Sequence, residues 1–317
     1  MKKPYLFHLL VLAASVLGPG ASAQPYPLEA DDRRFAELAN RGRYAEAYAL
    51  AESAPERFAH WYAHLLFHTV PPKGAYSVGE AVVRAAEHAC RYREANPEAA
   101  GYCYETLAVI LRWKDQDPRI AQALPGAKLP GLSPSEVDQG LQALAEKGVS
   151  LAVYFYYRSR LRSEALEKLV RERPYSLGGQ LAGGLLASRL WERGNRGGEM
   201  VRYALLAPGV SSLAGGVLAW AEYFGQGVKR NRETACSRAA FWAPRSASGP
   251  ALLTLALCYW EGAAGFPKDP IEAYGILWYG KDVSGAPDFR TYLAQLEKVL
   301  RPEQQVEGRR RAANRFP

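Results

Sequence analysis

The sequence lacks the short motifs that mark common classes of enzyme. It contains no G-x-S-x-G, S-x-x-K, G-x-x-x-x-G-K-[ST] or H-E-x-x-H segment. Acidic pairs such as Glu192 and Glu199 occur, but no motif places them in a cleft. No residue is therefore a candidate for catalysis, and we expect a non-enzymatic protein that needs no cofactor.

Long hydrophobic runs are also scarce. The apolar stretch at residues 6–17 is shorter than the roughly 20 residues that a spanning helix needs. Two lysines precede it, and the small residues 21–23 follow it. This pattern predicts a cleavable signal peptide over residues 1–23, a periplasmic or secreted mature chain, and no stable membrane span. No cysteine lies near the cleavage site, so the lipoprotein type is not indicated.

The chain has no basic stripe interleaved with aromatic residues, so nucleic acid is not an expected partner. It carries 40 Lys and Arg against 32 Asp and Glu, and loss of Lys2 and Lys3 with the signal peptide still leaves a net positive charge. A local basic cluster, residues 309–311 with Arg315, lies near the C-terminus. It is either a solvated helix end or a patch for an acidic partner.

Cysteine is rare, and no C-x-x-C pair suggests a zinc site. In an oxidising compartment, an even number of cysteines predicts pairing. Cys90 and Cys103 flank an Asn-Pro break, whereas Cys236 and Cys258 lie equally far from the centre of a Pro-bounded turn. The spacing predicts the disulfides Cys90–Cys103 and Cys236–Cys258, each between adjacent antiparallel helices.

Glu56 and three histidines, His60, His64 and His68, are spaced by four residues. Because this spacing brings neighbours to one helix face, His60 and His64 are candidates to share a zinc ion. However, the stripe drifts around the helix and no further carboxylate is indicated. The alternative, which we favour, is that these histidines pack among aromatic residues and bind no metal.

Apolar residues recur at intervals of three and four, which predicts an all-α protein from about Asp31 onward. Residues 151–157 have the composition of a strand, but we predict a helix because no partner strand is in view. Reciprocal capping boxes are expected at three helix starts. They pair Ser77 with Glu80, Ser133 with Glu136, and Asp269 with Glu272.

A 38-residue repeat is the most informative pattern in the sequence. The pairs at this offset are Gly227 and Gly265, Val228 and Phe266, Asn231 and Asp269, and Ala235 and Ala273. In a helix-loop-helix unit, the glycines, with Gly225, permit positive φ in the loop. Val228 and Phe266 fill the space below it, the polar residues cap the second helix, and the alanines allow close approach.

The segment Leu255-Ala256-x-x-Tyr259-x-x-Gly262, with the loop that follows, resembles the Sel-one-like repeat family, a relative of the tetratricopeptide repeat. The likeness covers about residues 214–282. The first copy has Glu222 where the family has tyrosine, and the second has one extra residue before Gly265. The resemblance implies an α/α solenoid of stacked antiparallel hairpins. In exported members, disulfides join the second helix of one repeat to the first helix of the next, in agreement with the predicted pairs.

The signal-peptide pattern, the repeat and the basic cluster divide the chain into five segments. The predicted segments are a signal peptide at 1–23, N-terminal hairpins at 24–124, a linker with middle helices at 125–174, repeats at 175–302 and a basic tail at 303–317.

The first helices of such repeats line the concave side of the array. Trp220, Tyr223 and Trp260 are therefore candidates for a ligand-binding groove, while Tyr259 is assigned to packing. The sequence predicts a periplasmic scaffold that binds an envelope protein or a peptide-like ligand. Two alternatives are a peptidoglycan-associated enzyme or accessory, and a platform for secretion or polysaccharide assembly.

Overall fold

Helices make up all of the regular structure in the part of the chain that the computed structural model describes, residues 29–68, 76–160, 162–246 and 248–316. The predicted signal peptide lies outside these ranges. Between them they contain no helix long and apolar enough to span a membrane. The all-α fold class is thereby confirmed, including a helix over residues 151–157.

The first nine helices alternate with short loops. They are α1 Glu29–Asn40, α2 Tyr44–Ser53, α3 Ala59–His68, α4 Val78–Arg91, α5 Pro97–Trp113, α6 Pro118–Ala123, α7 Pro134–Glu146, α8 Ser150–Ser159 and α9 Ser163–Glu172. Both serine capping boxes form as predicted, at Ser77 with Glu80 and at Ser133 with Glu136.

The remaining eight helices follow the same alternation. They are α10 Leu177–Glu192, α11 Gly198–Ala204, α12 Ser212–Phe224, α13 Arg232–Ser246, α14 Gly249–Glu261, α15 Pro270–Val283, α16 Pro287–Glu297 and α17 Pro302–Arg315. At α15, Asp269 accepts hydrogen bonds from the amides of Ile271 and Glu272, both at 3.0 Å. Glu272 turns instead to Arg315, so only half of the third predicted box forms.

The helices stack as antiparallel hairpins into a solenoid. In each hairpin a first helix packs on a second, as α12 does on α13 and α14 on α15. The first helices α3, α5, α8, α10, α12 and α14 also pack on one another in chain order and form a continuous row.

Glycines on α10 allow this row to pack closely. A Cβ on Gly178 would lie 2.2 Å from the carbonyl oxygen of Ser150, at the start of α8. On Gly184 it would lie 2.0 Å from the Oγ of Ser211, which caps α12. Both distances are far below van der Waals contact, so these glycines set the spacing of α8, α10 and α12.

The solenoid curves until its beginning meets its middle. The Asn40 side chain accepts from the Gly209 amide at 2.9 Å, and the Tyr44 hydroxyl donates to the Gly209 carbonyl at 3.0 Å. The Tyr44 ring also stacks on Phe241 of α13 at 5.8 Å. Helices α1 and α2 are thus held against the segment before α12, and the row of first helices lies inside the bend.

Both predicted disulfides are present. Cys90 of α4 joins Cys103 of α5 with a Cα–Cα distance of 4.8 Å. Cys236 of α13 joins Cys258 of α14 at 5.9 Å. Each bond links the second helix of one hairpin to the first helix of the next, and no free cysteine occurs in the described residues.

The two copies of the 38-residue repeat form equivalent corners. Gly225 and Gly262 end α12 and α14 in the left-handed conformation, with φ of 75° and 68°. The Asn231 amide donates to the Glu222 carbonyl, and the Asp269 amide donates to the Tyr259 carbonyl, both at 2.8 Å. Gly227 and Gly265 also have positive φ, whereas Ala235 and Ala273 are buried.

The residues predicted as a basic tail form helix α17, which packs on α15. Arg311 pairs with Asp269 at 2.8 Å, and Arg315 donates to Glu272 at 2.6 Å. Arg310 pairs with Glu307 on its own helix at 2.8 Å. Much of the basic charge is thus satisfied within the molecule.

Candidate functional site

The structure places two of the three predicted groove residues in the core. Trp220 is 5% exposed and Tyr223 is 1% exposed. The Trp220 ring packs against Trp191 at 6.4 Å and under the guanidinium of Arg196 at 5.0 Å. Because a tightly curved row covers the faces of its first helices, these aromatics contribute to packing in this conformation.

Trp260, the third predicted groove residue, is partly buried and meets Tyr292 of α16 edge-on at 5.7 Å. Nearby, Arg196 reaches from the loop after α10 to Asp288 at the start of α16, where two hydrogen bonds join the side chains. This ion pair bridges the inner side of the C-terminal hairpins. The structure therefore shows no open groove at the predicted aromatic residues.

The candidate histidines are also buried. The Nε2 of His60 lies 3.4 Å from an oxygen of Asp32, and the Nε2 of His64 lies 3.0 Å from the Val210 carbonyl oxygen. Burial lowers the pKa of His64 to about 4, so the ring is neutral near pH 7. The described residues contain no group of three or more potential metal ligands. In this structure His60 and His64 connect packed helices.

A cleft of about 280 Å³ does open on the inner side of the row, at α5, α8 and the start of α12. We call it the concave cleft, and its defining side chains are Tyr102, Glu105, Val109, Phe155, Arg158 and Leu213. Residues of α3, α4 and α10 also contribute to it. Since α3 and α12 lie far apart along the chain, the curvature of the solenoid creates the cleft.

One face of α5 forms a wall of the concave cleft. Tyr102, Glu105, Thr106 and Val109 follow the i, i+3, i+4, i+7 spacing that brings residues to one side of a helix. The Thr106 hydroxyl donates to the Tyr102 carbonyl at 2.8 Å, so its hydrogen is directed at the backbone. This wall therefore exposes mainly apolar surface to the cleft, together with the carboxyl group of Glu105.

Buried groups close the bottom of the concave cleft. The Tyr102 ring meets Phe155 edge-on at 5.8 Å and His64 at 6.2 Å. The hydrogen bond from His64 to Val210 fixes this cluster to the segment that leads into α12. Val109 and Leu213 are only partly buried and lie toward the opening. The cleft is thus a depression with a fixed floor.

A single ion pair provides the formal charge in the concave cleft. The Arg158 guanidinium donates through Nη2 to Oε1 of Glu105 and lies 5.0 Å from the centre of the Phe155 ring. Burial raises the pKa of the Glu105 carboxyl, against the opposing effect of Arg158. The Arg158 side chain is 35% exposed, so solvent reaches one side of it.

A larger depression of about 540 Å³ lies between α4 and α6. Its lining is mostly polar and includes Glu80, Arg84, Glu87 and Arg119. Binding sites combine apolar surface with a few convergent polar groups. The concave cleft has that composition, whereas the larger depression resembles hydrated surface.

Sequence analysis missed the concave cleft. Glu105 and Arg158 are 53 residues apart, and Leu213 is 55 residues further along. The only local signal was the periodic face of α5. Nothing in the sequence shows that the start of α12 returns to this face, because that depends on the curvature of the whole solenoid.

Comparison with known proteins gives a likeness in structure but none in sequence. No model of a known protein family and no curated protein matches the sequence. Among solved structures, the chain is similar to a protective antigen present in uropathogenic Escherichia coli strains, which displays an SLR fold. The identity is 13%, the TM-score is 0.41, and the match covers 91% of this chain and 69% of the other.

Proposed function

We propose that the protein is a non-enzymatic scaffold of the periplasm that binds a segment of another polypeptide in the concave cleft. The observation that carries this proposal is an inward-facing cleft of about 280 Å³ with apolar walls and one charged pair. This composition suits a peptide, whose side chains fill apolar space while its polar groups find a few fixed partners.

Two further features support the proposal. A solenoid offers a long inner surface, and the hydrogen bonds that join residues 209–210 to Asn40, Tyr44 and His64 hold its curvature. Disulfides persist in oxidising compartments, so the two that link successive hairpins favour an exported location.

Site-specific photo-crosslinking in the envelope tests the proposal. A benzophenone amino acid replaces Leu213 at the opening of the concave cleft and, as a matched control, Val306 on the exposed side of α17. We expect a polypeptide adduct from position 213 and none from position 306. The additional substitution Val109→Arg, which fills the cleft, should abolish that adduct.

An adduct at position 213 that survives Val109→Arg would contradict the proposal, as would equal adducts at both positions. Absence of any polypeptide adduct at position 213 in the native envelope would also overturn it. Circular dichroism of each variant checks that the helices are intact.

A further inference from the structure

We infer that the concave cleft recognises the C-terminal end of a polypeptide: its free carboxylate binds beside Arg158 and Ser212, and its last side chain enters the apolar part of the cleft. This inference rests on the proposed function and names the ligand's chemistry. It follows from the polar groups that converge on the cleft and from the size of the cleft.

Arg158 has hydrogen-bonding capacity to spare. A guanidinium carries five N–H donors, and Arg158 directs Nη2 to Glu105 and also forms a side-chain hydrogen bond with Tyr154, which leaves further donors available. Its guanidinium carbon lies 5.4 Å from the centre of the Tyr154 ring and 5.0 Å from the centre of the Phe155 ring. Because one side of the group remains accessible, it can donate to a second carboxylate without moving.

The start of α12 contributes a second donor set. Ser212 is the first residue of this 13-residue helix and lines the cleft. Ser212 is 9% exposed as a residue, and within the described part of the chain its hydroxyl is engaged in no side-chain hydrogen bond, while its oxygen keeps contact with solvent. The hydroxyl can therefore donate to a ligand in the cleft without giving up a hydrogen bond within the protein.

The backbone amides at the start of α12 also favour an anionic ligand. The amides of Ser212 and Leu213 belong to the first turn of α12, where N–H groups have no partner within the helix. Together with the helix dipole, these groups favour a negative charge. The arginine, the hydroxyl and the helix start therefore all favour an anion, and Glu105 is the one acidic group in the lining.

The volume of the cleft favours a chain end. Sites for whole small ligands usually span about 300–1,000 Å³. The concave cleft has about 280 Å³ and a floor closed by His64, Val82 and Val210, each about 2% exposed. A cleft of this size accommodates one or two residues of a polypeptide, which favours the end of a chain over a longer segment.

Fluorescence anisotropy tests this inference. The probes are N-terminally labelled hexapeptides, Gly-Ser-Gly-Ser-Gly-X with X as Leu, Val or Phe, each made as a free acid and as a carboxamide. At least one acid should bind the full chain at least tenfold more tightly than its carboxamide, because a charge-assisted contact would be lost.

Four variants locate the effect. Arg158→Gln should reduce acid binding to the level of the carboxamide. Arg160→Gln, at the residue that follows α8, outside the lining and paired with Asp138, should leave acid binding unchanged. Glu105→Gln should strengthen acid binding severalfold, since a competing carboxylate is removed. The double variant Glu105→Gln with Arg158→Gln keeps the pair neutral and must also lose the preference for acids.

Equal binding of acids and carboxamides, blocked by Val109→Arg, would overturn carboxylate recognition and leave the peptide scaffold standing. Weaker binding in Glu105→Gln would indicate a basic ligand instead. Competition by decanoate at lower concentration than by any peptide acid would indicate a lipid carboxylate. Failure of every hexapeptide, while position 213 still yields a polypeptide adduct, would overturn chain-end recognition alone.

Discussion

The N-terminal hairpins and the repeat hairpins build the same architecture with different interactions. In α12 to α15, two equivalent glycine-containing loops set the corners, and each loop is local in sequence. In α1 to α8, buried polar side chains join helices that are distant in sequence. The comparison shows that a solenoid can be held either by a repeated local signal or by specific long-range hydrogen bonds.

Glu98 is the clearest example of the second kind. It is 4% exposed on α5, and its two carboxylate oxygens accept from the amides of Ser150 and Leu151, both at 2.9 Å. A side chain of one helix thereby caps the start of another, α8, which has no side-chain cap of its own. In the repeats, Asp269 performs the same task for its own helix.

The largest effect should follow from removal of this cap. Glu98→Ala leaves two buried amides without partners and should lower the free energy of unfolding by about 4 kcal/mol. Ser133→Ala, which removes a local cap at a helix start, should cost only about 1 kcal/mol. Urea denaturation followed by circular dichroism measures both. Equal losses would remove the distinction between a long-range cap and a local one.

The pH dependence of stability should be large in the N-terminal region because His64 is buried and neutral. Its pKa is about 4 in the folded protein, below the ordinary 6.5, so between these values the unfolded chain binds more protons. Its contribution is complete above about pH 6.5 and is lost as pH falls, by about 1.4 kcal/mol per unit.

Denaturation midpoints from pH 7 to pH 4 test this contribution. His64→Gln keeps a donor for the Val210 carbonyl and removes the titrating ring. The loss of stability with falling pH should be shallower in the variant than in the parent chain. The same slope in both proteins would show that protonation of His64 does not couple to unfolding.

The two disulfides should contribute similar amounts in the two regions. They close loops of 13 and 22 residues, for which the chain-entropy estimate is roughly 3 kcal/mol each. Replacing either pair with alanine should lower the melting temperature to a similar extent. Titration of the unreduced, denatured protein should find no free thiol, and two or more reactive thiols would contradict the pairing.

The smallest effect concerns the extra residue in the second repeat loop. Ala264 has a φ of 54°, a left-handed conformation that is unfavourable for alanine. Ala264→Gly should stabilise the protein by up to about 1 kcal/mol. Gly265→Ala, at a φ of 82° with no atom within 4 Å of the added Cβ, should destabilise it by about 1 kcal/mol. Changes of the opposite sign would show that strain does not control this corner.

Sequence reasoning succeeded where the signal was local. The capping serines, the loop glycines and the disulfide pairs all depend on residues within about 40 positions of one another, and the structure confirms them. It did not anticipate how the inner row packs. Trp220 and Tyr223, predicted to line a groove, are buried in this structure, and the concave cleft lies at other residues.

The sequence alone determined the helical class, the capping boxes at Ser77 and Ser133, the equivalent corners at Gly227 and Gly265, and the covalent links between hairpins. Each of these follows from backbone conformation and spacing within one or two helices. Only the tertiary structure decided that Gly209 meets Asn40 and that Ser212 and Arg158 line one cleft. The physical reason is that small rotations between successive hairpins add up along the array, so curvature is a property of the whole chain.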